Sequence, residues 1–199
     1  NNHWGVPLTL LKLRREHRSA VIEMGMNHAG ELDYLGAIVQ PTFGLITNAA
    51  AAHLEGLNSI EGVARAKGEL IDHVQPGGTV VLNRDDQFFP QWKQRAGDRR
   101  VISFGQHPEA DFRLFATEGG KLGLAFGGRT ESFEYGLLGG HNRMNAAAAV
   151  AVAMTAGLSL EAIARGLAQV DAVKGRLEAR RLGKGFLLIE QGDDQAAVE

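Results

Sequence analysis

The chain has 199 residues, 44% hydrophobic and 22% charged, with a formal net charge of -2; that is the balance of one globular domain with room for part of a second. Near-neutral charge leaves no electrostatic footprint for nucleic acid or a membrane surface. The absence of cysteine excludes thiol catalysis, thiolate metal sites and a disulfide framework. No run approaches the roughly 18 apolar residues of a membrane helix, and the opening Asn1-Asn2-His3-Trp4 does not read as a signal peptide, so the expected compartment is the cytoplasm.

In chain order, four short runs rich in β-formers each lead into turn chemistry. They are Ala20–Met24 before Gly25, Gly44–Thr47 before Asn48, Thr79–Leu82 before Asn83, and Val101–Phe104 before Gly105. The first three are almost continuously apolar, as strands covered on both faces of a parallel sheet are. The clearest helix runs from Ser59 to Val74, with Asn58 as N-cap and Glu61 three residues on. From about Asp111 to Leu138 the rhythm changes. Phe112–Phe115, Leu122–Phe126 and Ser132–Tyr135 read as strands joined by Gly-containing turns, an antiparallel insertion. An alanine-rich helix is expected over Asn145–Thr155, another from Ser159 to about Val170, and a last strand at Phe186–Ile189. The expected fold class is α/β, a mostly parallel central sheet flanked by helices with a small antiparallel β insertion.

In an open α/β sheet, ligands sit outside the carboxyl ends of the strands. The polar residues expected there are Glu23, then Asn48 with His53 and Glu55 beyond it, then Asn83 and Asp85. A carboxylate, an imidazole and amides converging on one rim suit Mg²⁺ and nucleotide phosphates. They are equally the ordinary polar residues of strand ends.

Lys67 is the most unusual residue. It lies seven after Ile60, four after Val63 and three before Leu70, in the middle of the apolar stripe of its helix. A lysine there must snorkel, pair with a buried anion or lose its charge. A desolvated amine can take up CO₂ as a carbamate, which turns a cation into a metal-binding anion. A third candidate is Gly139-Gly140-His141-Asn142-Arg143-Met144-Asn145. Asn142 and Asn145, three apart, share a helix face and with His141 could read an adenine edge and a ribose; Gly-His-Asn is also ordinary N-cap chemistry. No Gly-rich loop ending in Gly-Lys-Ser/Thr occurs in the chain.

These segments resemble the Mur ligase family. The opening "NNHWGVPLTLLKL" matches the stretch that follows the family's phosphate loop. "VIEMGMNHAGEL" at Val21–Leu32 and "TNAAAAHLEGLNSIEGVARAKGEL" at Thr47–Leu70 resemble its D-alanyl-D-alanine-adding branch. "LNRDD" at Leu82–Asp86, "GGHNRMNAAAA" at Gly139–Ala149 and "VKGRLE" at Val173–Glu178 continue in family order. The resemblance implies Glu23 and His53 as Mg²⁺ ligands and Lys67 as the carbamylated lysine. It implies His141, Asn142, Asn145 and Arg176 as nucleotide contacts, to which the strand-end position adds Asn48. The implied reaction phosphorylates the carboxylate of UDP-N-acetylmuramoyl-tripeptide with ATP, and D-alanyl-D-alanine then attacks the acyl phosphate.

The sequence departs from the family where its phosphate loop should precede Asn1. It departs again at Glu190–Gln195, where the family reads Asp-Asp-Ser-Tyr-Asn-Ala-Asn-Pro. The expected organisation is a central ATPase domain over 1–175 without its phosphate loop, and the start or remnant of a C-terminal ligase domain over 176–199. These 199 residues alone are expected to be inactive and to bind ATP poorly. Two other readings remain open, a folylpolyglutamate-type ligase of the same superfamily and a non-catalytic binding module on the same fold.

Overall fold

The computed structural model describes residues 1–50, 54–137, 139–170, 178–182 and 185–189. Helices α1 (Gly5–Leu10) and α2 (Glu31–Val39) precede strand β1 (Phe43–Ile46). Then come α3 (Leu54–Leu57), α4 (Ile60–Asp72), β2 (Thr79–Asn83), α5 (Phe89–Ala96) and β3 (Arg100–Gly105). Strands β4 (Phe112–Phe115), β5 (Leu122–Phe126) and β6 (Arg129–Phe133) follow. The helices α6 (Gly140–Thr155) and α7 (Leu160–Ala168) and the strands β7 (Glu178–Leu182) and β8 (Gly185–Ile189) complete the described chain. The sheet order is β1-β2-β3-β4-β5-β6, and β7-β8 form a separate two-stranded ladder. The pairs β1–β2 and β3–β4 are parallel; β4–β5 and β5–β6 are antiparallel. This is the expected α/β class. Among the described residues no helix is long and apolar enough to cross a membrane.

Two compact units divide the chain: residues 1–82 with 86–101, and residues 83–85 with 102–199. In the first, β2 is buried at every position, and its apolar run follows from cover on both faces. Helix α4 buries two faces. Ala64 and Ile71 pack with Val80, Leu82, Phe88, Phe89 and Trp92, while Val63 and Ala66 pack with Val6, Leu32 and Leu35. Trp92 is only 2% exposed, and its indole N–H donates to the Ala64 carbonyl at 2.9 Å, so the large ring is buried without stranding its polar atom. Glu69, on α4, accepts the Gly30 and Asp33 amides at 2.9 and 3.1 Å. It thereby supplies the start of α2 with a cap that Gly30, its N-cap residue, cannot provide.

In the second unit the alanines of α6 let the helix lie close to β4 and β5. Ala146, Ala147, Ala148, Val150 and Ala151 are buried. Ser103 and Asp111 tie β3 to the start of β4, the Asp111 carboxylate accepting the Ser103 amide at 2.8 Å and its hydroxyl at 2.6 Å.

Several sequence expectations are corrected. Ala20–Met24 is no strand, and Val21 is 97% exposed. An apolar run makes a buried strand only where a neighbour completes the ladder, and none pairs with it among the described residues. The α4 N-cap is Ser59, whose hydroxyl accepts the Gly62 amide at 3.1 Å; Asn58 takes a left-handed φ of 64° instead. The third strand of the β-rich segment lies at Arg129–Phe133, not Ser132–Tyr135, because the Gly127-Gly128 turn sets the register Phe126↔Arg129. Helix α6 begins at Gly140, five residues before Asn145. Helices α1, α2 and α5 add to the expected elements; in α5 the buried Phe89, Trp92 and Ala96 recur at helical spacing.

Candidate functional site

Strand β1 delivers the chain to Thr47 and Asn48 at its carboxyl end. Asn48 is exposed, and its carbonyl accepts the Lys67 ammonium at 2.6 Å. Lys67 is half-buried, flanked on α4 by buried Ala66 and Gly68; of the options open to a lysine in an apolar stripe, it reaches a polar acceptor at the helix edge. The next amide, Ala49 N–H, donates to Asp86 Oδ2 at 2.7 Å. Asp86 Oδ1 accepts the Phe88 amide at 2.9 Å, an Asx-type turn leading into α5. In the sequence Asp86 stands in the Leu82–Asp86 motif with no expected role of its own. A doubled acid two residues before a buried aromatic pair was the available signal.

Glu23 does not end a strand. Its side chain is 81% exposed. His53 and Arg176 lie outside the described residues, as do the 175/176 boundary and Glu190–Gln195. Among the described residues no group of three or more His, Asp or Glu side chains comes together as a metal cluster.

In the second unit, His141, Asn142 and Asn145 sit in the opening turns of α6, with His141 and Asn145 exposed and Asn142 half-buried. The N-cap is Gly139, at φ 93° and without a side-chain cap, so His141 and Asn142 do not cap the helix themselves. Arg143 anchors this turn through its guanidinium, which donates to the Phe115 and Lys121 carbonyls at 3.3 and 3.2 Å. Burial pushes the nearby Tyr135 phenol up to about 12, and the Arg143 cation pulls it the other way. Asp85 is spent on the backbone, accepting the Gln106 and His107 amides at 2.7 and 2.8 Å, while Asn83 Oδ1 accepts the Asp85 amide. Both are turn-making residues here.

An α/β domain with amides and carboxylates at loops following its parallel strands, one of them met by a lysine from helix α4, has the layout of an open-sheet ligand-binding domain. The profile of the Mur ligase middle domain matches residues 1–153. The UDP-N-acetylmuramoyl-tripeptide--D-alanyl-D-alanine ligase of Escherichia coli (strain K12) is 38% identical over 195 residues, covering 96% of this chain and 43% of the ligase. A crystal structure of MurF from Acinetobacter baumannii superposes with a TM-score of 0.89 at 36% identity, over 96% of this chain and 42% of that one. The MurF ligase from Thermotoga maritima in complex with ADP shares the fold, with a TM-score of 0.76 at 22% identity, over 95% of this chain and 44% of that one. The chain belongs to the Mur ligase family. It spans 43% of the length of the Escherichia coli relative.

Proposed function

We propose that this chain is the ATP-handling middle domain of a ligase that joins D-alanyl-D-alanine to UDP-N-acetylmuramoyl-tripeptide through an acyl phosphate. The observation that carries the reading is the 38% identity over 195 residues with the Escherichia coli ligase of that specificity. Residues 1–175 form the ATPase domain in this reading, and 176–199 open the amine-binding domain.

The donor chemistry of the residues present supports this reading. Glu23 offers a hard carboxylate oxygen on an exposed side chain, the donor type that Mg²⁺ prefers; His53 is its proposed companion. Asn142 and Asn145 present amides from a helix start that Arg143 holds in place, suited with His141 to an adenine and its ribose. Arg176 would reach the nucleotide from the domain boundary, and Asn48 from the end of β1. Bound Mg²⁺ would neutralise the charge of the transferring phosphoryl group. Lys67 supplies an amine at the same rim as Asn48; as a carbamate it would add an anionic ligand there.

The test is an assay of the complete gene product for ADP release. Release that requires both the UDP-linked tripeptide and D-alanyl-D-alanine is expected. Release driven by glutamate and a folate would establish the folylpolyglutamate-type alternative, and nucleotide binding without turnover a non-catalytic module.

A further inference from the structure

The peptide unit joining Asn48 to Ala49 is gripped at both ends. Its carbonyl accepts the Lys67 ammonium at 2.6 Å, and its N–H donates to Asp86 Oδ2 at 2.7 Å. No peptide bond among the described residues is cis, so this C=O and N–H point in opposite directions. A cation and an anion therefore hold opposite edges of one plane, each through a short charge-assisted hydrogen bond, and each polarises the amide in the sense that strengthens the other. Turning the plane over would break both bonds at once. The Asp86 carboxylate cannot follow such a turn, because Oδ1 is held by the Phe88 amide at 2.9 Å, and Phe88, Phe89 and Trp92 are buried in the core.

We propose that Asp86 is a positioning residue of the candidate site. Anchored by the aromatic cluster, it fixes the 48–49 peptide, and with it the direction in which Asn48 leaves β1 and the acceptor that Lys67 meets. The proposal rests on the functional reading above only for its kinetic consequence; the clamp itself is a property of the fold. The competing role for Asp86 is a turn cap for α5. One carboxylate oxygen serves each role, so a side chain with a single acceptor separates them.

Asp86→Ser keeps an acceptor short enough for the Phe88 amide but leaves none for Ala49; Asp86→Ala removes both. Hydrogen exchange of the 199-residue chain reads each amide separately. In Asp86→Ser, Ala49 is expected to exchange about tenfold faster or more, while Phe88 and the amides of β2 keep their protection. In the complete gene product the same variant is expected to raise KM for ATP about tenfold and leave KM for D-alanyl-D-alanine unchanged, with Asp86→Asn recovering part of the loss. Unchanged Ala49 exchange in both Asp86→Ser and Asp86→Ala would overturn the clamp whatever the activity. Faster Ala49 exchange with unaltered ATP kinetics would overturn the positioning role and leave the functional reading intact. If the wild-type gene product shows no ligase activity, the functional reading fails, and the exchange data still decide whether the clamp exists.

Discussion

Lys67 and Asp86, 19 positions apart in the sequence, meet the same backbone amide: the lysine holds the carbonyl of Asn48 and the aspartate the N–H of Ala49, at 2.6 and 2.7 Å. The loop leaving β1 is thus held by side chains from α4 and from the turn before α5. Its geometry depends on both elements being packed, and α4 and α5 are joined through the buried Trp92–Ala64 hydrogen bond. That dependence links the core to the candidate site, and truncating Trp92 to alanine is expected to loosen the site as well as to cost about 3–5 kcal/mol.

Lys67→Ala, in the complete gene product, is expected to lower ligase turnover by about a hundredfold or more. With Lys67 working as the proposed carbamate, formate or acetate should restore part of it by filling the vacated anion position. Turnover near the wild-type rate, with no response to carboxylates, would leave Lys67 as a surface lysine that merely steadies Asn48.

Tyr135 places its hydroxyl in the interior, where among the described residues it has no hydrogen-bond partner. Tyr135→Phe is therefore expected to leave stability at neutral pH unchanged or to raise it by up to about 1 kcal/mol. The phenol's pKa is raised in the folded state to about 12 from 10.0, so the folded chain holds this proton more tightly than the unfolded one. The resulting stability is fully present below pH 10 and is lost as pH rises toward about 12. Alkaline melts of wild type and Tyr135→Phe should differ in that window, and parallel curves would contradict the burial of the phenol.

Asp72 sits below the usual aspartate value of 3.8, held there mainly by the Arg95 guanidinium, which donates to its carboxylate at 2.7 and 3.1 Å. A depressed carboxylate stabilises the fold above its unfolded pKa, and the contribution disappears as pH falls through the folded value. Both side chains are partly exposed, so Asp72→Asn should cost only about 1 kcal/mol at neutral pH and less in high salt. The deficit should begin to shrink in denaturant melts as pH falls below 3.8 and vanish only below the lowered folded value. A deficit that persists there would point to packing instead of charge.

Gly105 has φ +145°, and a Cβ placed on it would lie 2.7 Å from Asp85 Oδ1, the carboxylate that holds the Gln106 and His107 amides. Gly105→Ala is expected to destabilise by about 2–4 kcal/mol, backbone strain and a displaced carboxylate acting together. A melting temperature within a degree of wild type would show that this turn relaxes freely.

The 199 residues contain no Gly-Lys-Ser/Thr loop to wrap the β- and γ-phosphates. Calorimetry of this chain with ATP and Mg²⁺ is expected to detect no micromolar binding.

Much of the architecture was legible from pattern alone. The runs at Thr79–Leu82, Phe112–Phe115 and Leu122–Phe126 became β2, β4 and β5 with little or no shift, because buried parallel strands and glycine-bounded hairpins impose strong local signatures. The place of Lys67 in an apolar stripe also followed from helical spacing, and half-burial is what the fold gives it. The family motifs were readable because they are contiguous in sequence. Tertiary structure decided the rest. Ala20–Met24 has strand composition, yet a strand needs a ladder that composition cannot supply. Ser59 displaced Asn58 as the cap of α4 once Asn58 took the left-handed turn. Asp86 and Glu69 act 37 and 39 residues from the amides of Ala49 and Gly30 that they satisfy. No local pattern reports such pairings, because an exposed and a loop-bracing carboxylate are written with the same letter, and only packing brings the second to its distant donor.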